Sequence, residues 1–226
     1  MAVERVPVPD LPEPPSEACP DATPPPPPTG SPPPVGLSFE QYLDWLDEDT
    51  HAEWVGGEIR LMSPVSRGHN SITRFLLRLL SEFVEARDLG EVLYEPFQVR
   101  LTPEVSRSPD VLFVAREHLD RVKPTYLDGA PDLAIEVVSP ESAARDRGEK
   151  FYEYEQAGVA EYWLIDPIRK LAEFYEVDSG GHYRAASLTD GIYRSSVLPG
   201  FWLREEWLWQ EPLPKVPEVL KEWNLR

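Results

Sequence analysis

Cysteine occurs once in the 226 residues, at Cys19, so no disulfide can close within the chain and no cysteine-based metal site can form. That usage points to a reducing, cytoplasmic setting. No apolar run is long enough to span a bilayer, and no basic start leads into an apolar core, so neither a membrane segment nor a secretory signal is expected. The motifs of several large enzyme classes are also missing: there is no GxxxxGK[ST] loop, GxGxxG turn, HExxH helix or GxSxG elbow. The four histidines, at 51, 69, 118 and 182, are too scattered to suggest a zinc site. Positive charge is scarce as well, with 22 Lys and Arg against 40 Asp and Glu and a net charge of −18. That balance opposes the grip on phosphates from which nucleic-acid affinity largely comes, and the basic clusters along the chain are modest.

What the chain has in excess is proline, and it is concentrated at one end. Residues 1–36 hold 14 of the 26 prolines, in runs such as "TPPPPPTG" and "SPPPVG", with almost no large apolar side chain. Such a segment cannot bury enough surface to offset its ordering entropy, so it reads as a disordered arm of polyproline II character. A solvated tail and a proline-recognition segment are its two readings. The arm carries five acids and one base, which leaves −14 on residues 37–226.

The folded part opens at "GLSFEQYLDWLDED", where Ser38 and Gln41 form a capping box for an amphipathic helix. "AEWVGGEIRLMSP" predicts a hairpin turning at Gly56-Gly57. Residues 69–87 place Ile72, Phe75, Leu76, Leu79, Leu80 and Phe83 at helical spacing, with Gly90 as the stop. Strands are predicted over 91–101, 110–114 and 133–138, with an irregular or partly helical link at 115–131. A helix is predicted from a cap at Ser139 or Ser142 to Gly158, then strands at 161–166 and 171–177 joined by the turn "PIRK". The remainder, to about residue 210, reads as short strands and turns carrying Trp202, Trp207 and Trp209. The tryptophans suit a core or a dimer interface better than base stacking. Together these elements predict one α/β domain over 37–226, a mixed β-sheet flanked by helices.

The stretch "DLAIEVV" sets Glu136 inside an apolar strand. An unpaired buried carboxylate costs several kcal/mol, so this one must be paired, metal-bound or protonated. Strand alternation puts Ala134, Glu136 and Val138 on one face and Leu133, Ile135 and Val137 on the other. Asp110, directly after Pro109 at the start of another strand, is a plausible co-ligand for Mg²⁺ or Mn²⁺, which take oxygen donors and keep several waters. The alternative is an ion pair, with Lys150 or an arginine neutralising Glu136. Asp146, Lys150 and Tyr154 fall at i, i+4 and i+8 and form one helical stripe, which suits either a lysine leaning toward the carboxylates or an ordinary solvated pair. His69, Arg67 and Gln98 are weaker candidates, the first two at a helix start that could receive a phosphate.

The phrases "HAEWVGGEIRLMSP", "SPDVLFV", "PDLAIEVVSPES", "DRGEKFYEYEQAGVAEYWLIDP" and "VLPG" resemble the Uma family of restriction-endonuclease-like bacterial proteins, within the PD-(D/E)xK superfamily. The resemblance runs from about residue 37 to about 210. It implies a restriction-endonuclease-like core and a Mg²⁺- or Mn²⁺-dependent nuclease hydrolysing phosphodiester bonds in DNA. Asp110, Glu136 and the Val137 carbonyl would bind the metal, and Glu53 would be a third acid. The superfamily's lysine, two residues after the glutamate, is Val138 here. The resemblance therefore implies that Lys150 replaces it from the following helix, to position or activate water. The alternatives are a nuclease fold retired from catalysis and used for binding or assembly, as in a homodimer, and a hydrolase of a smaller phosphoester.

Overall fold

The computed structural model describes residues 33–47 and 49–225; the proline-rich arm lies outside the described residues up to residue 32. Val35 and Gly36 are joined to the first hairpin, by a bridge to Glu58 and a bond to the Gly57 carbonyl.

Helix α1 (Phe39–Trp45) carries the expected capping box at Ser38 and Gln41. Strands β1 (Ala52–Val55) and β2 (Glu58–Leu61) form the hairpin at Gly56-Gly57. Helix α2 (Arg67–Arg87) follows, and it stops differently from expectation. Asp88 closes it in the left-handed conformation, while Gly90 belongs to β3 (Gly90–Tyr94). The glycine is needed there because a Cβ would stand 2.1 Å from the Val114 carbonyl oxygen. The strand predicted over 91–101 is in fact two, β3 and β4 (Gln98–Thr102), which part at Glu95-Pro96-Phe97 and enter different sheets. After β5 (Val105–Arg107) and β6 (Val111–Ala115), the link at 115–131 holds a 3-10 turn (Arg116–Arg121) and β7 (Tyr126–Asp128).

Strand β8 (Leu133–Val137) is buried along its whole length. The predicted helix after it breaks into α3 (Ala143–Asp146) and α4 (Glu149–Ala157). Gly148 sits at the break, where a Cβ would approach the Ala144 carbonyl oxygen to 2.8 Å. Gly158 closes α4 in the left-handed region, as the sequence predicts. Strands β9 (Glu161–Asp166) and β10 (Leu171–Val177) match their predicted bounds. Short strands β11 (Tyr183–Ala185), β12 (Ile192–Arg194) and β13 (Trp202–Arg204), a 3-10 turn (Glu205–Trp209) and α5 (Val216–Glu222) complete the described chain.

The strands sort into two main sheets rather than one: five in the order β2-β1-β5-β4-β7 and six in the order β11-β10-β9-β8-β6-β3, with β12 and β13 paired apart. Only β8–β9 and β4–β7 are parallel, so both sheets are mixed. Alternation along β6, β8 and β9 divides the core. Leu133, Ile135 and Val137 pack with α2 and α5, while Ala134 and Val138 face α4, β4 and β7. Each fully buried Leu, Ile or Val contributes about 1.5–3 kcal/mol, so these two layers supply most of the driving force. Trp207 is buried in the first layer, with Trp202 and Trp209 packed against it.

A buried arginine ties the second sheet to α4. Ala52 and Trp54 of β1 face α1, so Glu53 points the opposite way, beside Arg107 of the neighbouring strand. Arg107 Nη1 meets Glu53 Oε2 at 2.8 Å, and its Nε and Nη2 meet the two oxygens of Glu153 on α4 at 2.6 and 2.8 Å. Its side chain is wholly buried. Removing one partner of such a pair strands the other charge, so Arg107→Met is expected to lose about 3–5 kcal/mol in urea unfolding at pH 7. A variant as stable as the parent would show that the pair does not hold the two layers together.

Candidate active site

The antiparallel pairing of β6 with β8 sets Val111 opposite Ile135, which brings Asp110 opposite Glu136 at the end of both strands. The two carboxylates line a cleft of about 120 Å³, together with His69, Glu95 and Lys150. Asp110 is fixed from two sides. Its Oδ2 accepts the Val137 N–H at 2.7 Å, and its Oδ1 lies 3.2 Å from His69 Nε2. His69 also hydrogen-bonds the Val137 backbone.

Glu136 is held by α4. Lys150 Nζ and Tyr154 OH both donate to its Oε1, at 2.8 and 2.9 Å. Among the described residues no donor meets its Oε2. Glu161, a buried glutamate at the start of β9, differs sharply. Ser195, Ser196, Val197 and Trp163 all donate to it, which accounts for its burial without any further group.

Lys150 is the hub. Its Nζ lies 2.8 Å from Glu136, 2.9 Å from Glu53 and 3.5 Å from Asp146, and its side chain is 1% exposed. The two Asp146 oxygens and Glu53 Oε1 are buried without a hydrogen bond of good geometry, so the ammonium charge is what stabilises them. The Asp146–Lys150–Tyr154 stripe read from the sequence thus faces inward, toward Glu136. Glu53 has both oxygens engaged by cations, Lys150 and Arg107, and Val137 offers Asp110 its N–H. Gln98 turns away from the cleft and binds the Ala52 carbonyl and Ser106 within the five-stranded sheet.

The electrostatics follow from this packing. Burial alone would raise the Glu53 carboxyl, but Lys150 and Arg107 outweigh it and bring it down to about 2. Burial pushes Glu136 well above the usual carboxylate range despite Lys150, with Asp146, Asp110 and Glu53 adding to the rise. Burial also opposes the Lys150 charge, yet Glu136, Glu53 and Asp146 hold its ammonium above the ordinary value. Glu95 is raised by burial and by Asp110, and His69 is raised because its bond to Asp110 overcomes its own burial.

Arg107, Glu95 and the His69–Asp110 contact were not assembled by the sequence reading. Arg107 stands three residues before Asp110 but carries no periodic signal, and Glu95 lies in the segment that read as continuous strand.

Two outcomes test the hub. Lys150→Met leaves Glu136 and Asp146 without a cation, and Glu53 with Arg107 alone, and is expected to lose about 3–5 kcal/mol in urea unfolding. Lys150→Met/Glu136→Gln should recover part of that, and equal stability of both variants to the parent would refute the arrangement. The Glu53 value is depressed on folding, so its contribution is complete above its unfolded value of 4.5 and disappears as pH falls through about 2. The stability gap between parent and Glu53→Gln should therefore narrow across that window in acid unfolding curves.

Comparison with known proteins agrees with this geometry at the level of fold and family. The profile of the Uma2 family, described as "Putative restriction endonuclease", matches residues 39–206. The uncharacterized protein sll1609 of Synechocystis sp. is 31% identical over 153 residues, 62% of this chain and 80% of that protein. A second protein of that organism, slr1290, is 26% identical over 149 residues, 65% of this chain and 77% of its own. The crystal structure of "a putative nuclease belonging to DUF820" from Anabaena variabilis matches with a TM-score of 0.64. It covers 76% of this chain and 97% of that one at 17% identity, which shows a common fold. With its profile matched over most of the chain and its fold shared, the protein belongs to the Uma2 family of restriction-endonuclease-like proteins.

Proposed function

We propose that the protein is a Mg²⁺- or Mn²⁺-dependent nuclease that hydrolyses phosphodiester bonds in DNA, acting in the cytoplasm. The observation that carries this reading is the pair Asp110 and Glu136, carboxylates facing one another from adjacent strands in a cleft, with a buried lysine bonded to one of them. Among the described residues no three His, Cys, Asp or Glu side chains converge as a ready-made metal cage. The donor set still suits a hard cation: two carboxylates, one with an oxygen that meets no donor, beside the Val137 backbone, leave the remaining positions to water. Asp110 and Glu136 would hold the ion, with the Val137 carbonyl. When bound, the ion neutralises phosphate charge and lowers the pKa of a coordinated water.

The side chains divide the remaining work. Lys150 stays charged, so its role is electrostatic stabilisation and positioning of water rather than proton abstraction. Its weakest partner is Asp146, at 3.5 Å, and that contact is the one a substrate oxygen would replace. Glu53 and Arg107 keep Lys150 in place from the second sheet, and His69 orients Asp110. Glu95, raised by burial and by Asp110, is a further carboxyl in the cleft that could take up a proton.

One observation favours the rival reading of a nuclease fold without catalysis: all three Lys150 donors face carboxylates, and residue 138 is a valine in the core. Incubation of plasmid DNA, a single-stranded oligonucleotide, RNA and a small phosphodiester with Mn²⁺ or Mg²⁺ separates the readings. DNA cleavage is expected in the parent, with at least about a 100-fold loss in Glu136→Gln and Asp110→Asn. Manganese should also raise the melting temperature of the parent but not of Asp110→Asn. Cleavage retained in both variants, or absent from the parent together with any manganese shift, sinks the proposal.

A further inference from the structure

A groove of about 940 Å³ lies along α2 rather than over the acidic cleft. Its charge is the reverse of the chain's. Arg67, Arg74, Arg78, Lys170 and Lys215 line it against a single acid, Glu211, on a molecule of net charge −18. All five cations are exposed. Among the described residues none of Arg67, Arg74, Arg78 and Lys170 is held in an ion pair, and Lys215 meets only Glu218, at 3.8 Å. Unpaired, solvated cations facing one another across a groove repel, and the fold gains nothing by gathering them.

Their spacing has a direction. Arg67, Arg74 and Arg78 are seven and four residues apart, close to two turns and one turn of helix, so they form one stripe about 16 Å long. That stripe matches the rise of roughly five nucleotides of one strand of B-form DNA. Lys170, in the turn between β9 and β10, and Lys215, just before α5, contribute from two other elements. Pro212 and Pro214 lie on one rim, Pro217 is in the first turn of α5, and half-buried Trp209 supplies a flat apolar wall beside them. The stripe also leads somewhere. Arg67 opens the groove, and His69, two residues on, lies in the cleft with Asp110 and Glu136.

We propose that this groove is the track on which a nucleic-acid backbone docks, duplex DNA in the first instance, and that α2 delivers it to the cleft at its N-terminal end. The inference takes its substrate from the nuclease reading, but it is tested by binding, without catalysis. Anisotropy of a fluorescein-labelled 30-base-pair duplex is titrated in EDTA from low to moderate salt, with the parent and with Arg74→Glu/Arg78→Glu. The parent should lose affinity steeply as salt rises. The double variant should bind at least about tenfold more weakly, and the slope of log affinity against log salt should fall by about two. Circular dichroism melts establish that the variant is folded, since both arginines are exposed on the helix surface.

Single-stranded DNA and RNA arms show which polymer binds best, and polyglutamate competes as a probe for an acidic protein partner. Variant binding equal to the parent's, no binding of any nucleic acid at low salt, or polyglutamate displacing the duplex as well as unlabelled DNA does would each overturn the assignment. Failure here and failure of the nuclease reading are separable. If Glu136→Gln abolishes cleavage while the arginine variant binds as the parent does, the active site stands and the track does not. If binding is lost in the arginine variant while no protein cleaves, the track stands and the nuclease does not.

Discussion

The arrangement turns on one buried ammonium. Lys150 lies among Glu53 from one sheet, Glu136 from the other and Asp146 from the preceding helical turn. Three carboxylates in so little water would repel one another or protonate, and the cost of either is met by a cation placed between them. The helix after β8 breaks at Gly148, just before Lys150, where a side chain would collide with the Ala144 carbonyl. The restart of the chain as α4 brings Lys150 and Tyr154 down onto the Glu136 face of the sheet. The two sheets and the turn before α4 thus meet at one electrostatic constraint.

Arg107 completes that constraint from the second sheet. A guanidinium remains charged at any pH a protein experiences, so Glu53 is kept ionised without relying on Lys150 alone. Lys150 therefore acts beside a fixed negative neighbour, and Glu136, Glu53 and Asp146 together hold its ammonium charged. Val138, two residues after Glu136 on β8, packs with Ala134, Tyr154 and Tyr162, while the cation beside Glu136 comes from α4.

Much of this was legible in the sequence, for stated reasons. Strands β8, β9 and β10 are short apolar runs between turn residues, and their limits were readable to within a residue. The i, i+4, i+8 spacing of Asp146, Lys150 and Tyr154 announced a common face, though not that the face was buried. The segment 91–101 misled because its apolar content runs on through Pro96, and only tertiary pairing reveals that its halves join different sheets. Gly90 read as a helix stop, when the demand for glycine comes from a neighbouring strand far off in sequence. Arg107 and Glu95 owe their importance to partners on other elements, which one-dimensional periodicity does not encode. Of the groove's cations only Arg67 stood out in the sequence, because Lys170 and Lys215 lie far from 67, 74 and 78 in the chain and join them only when it folds.

That gathering sets a cluster of positive charge into a chain of net charge −18, so a polyanion that approaches the groove beside α2 meets local attraction against a wider repulsion. Net charge then does not oppose association so much as select among its geometries. An encounter in the wrong orientation is turned away before contact, so the acidic surface acts as a filter on approach, and its effect reaches only about a Debye length, some 8 Å, into physiological salt.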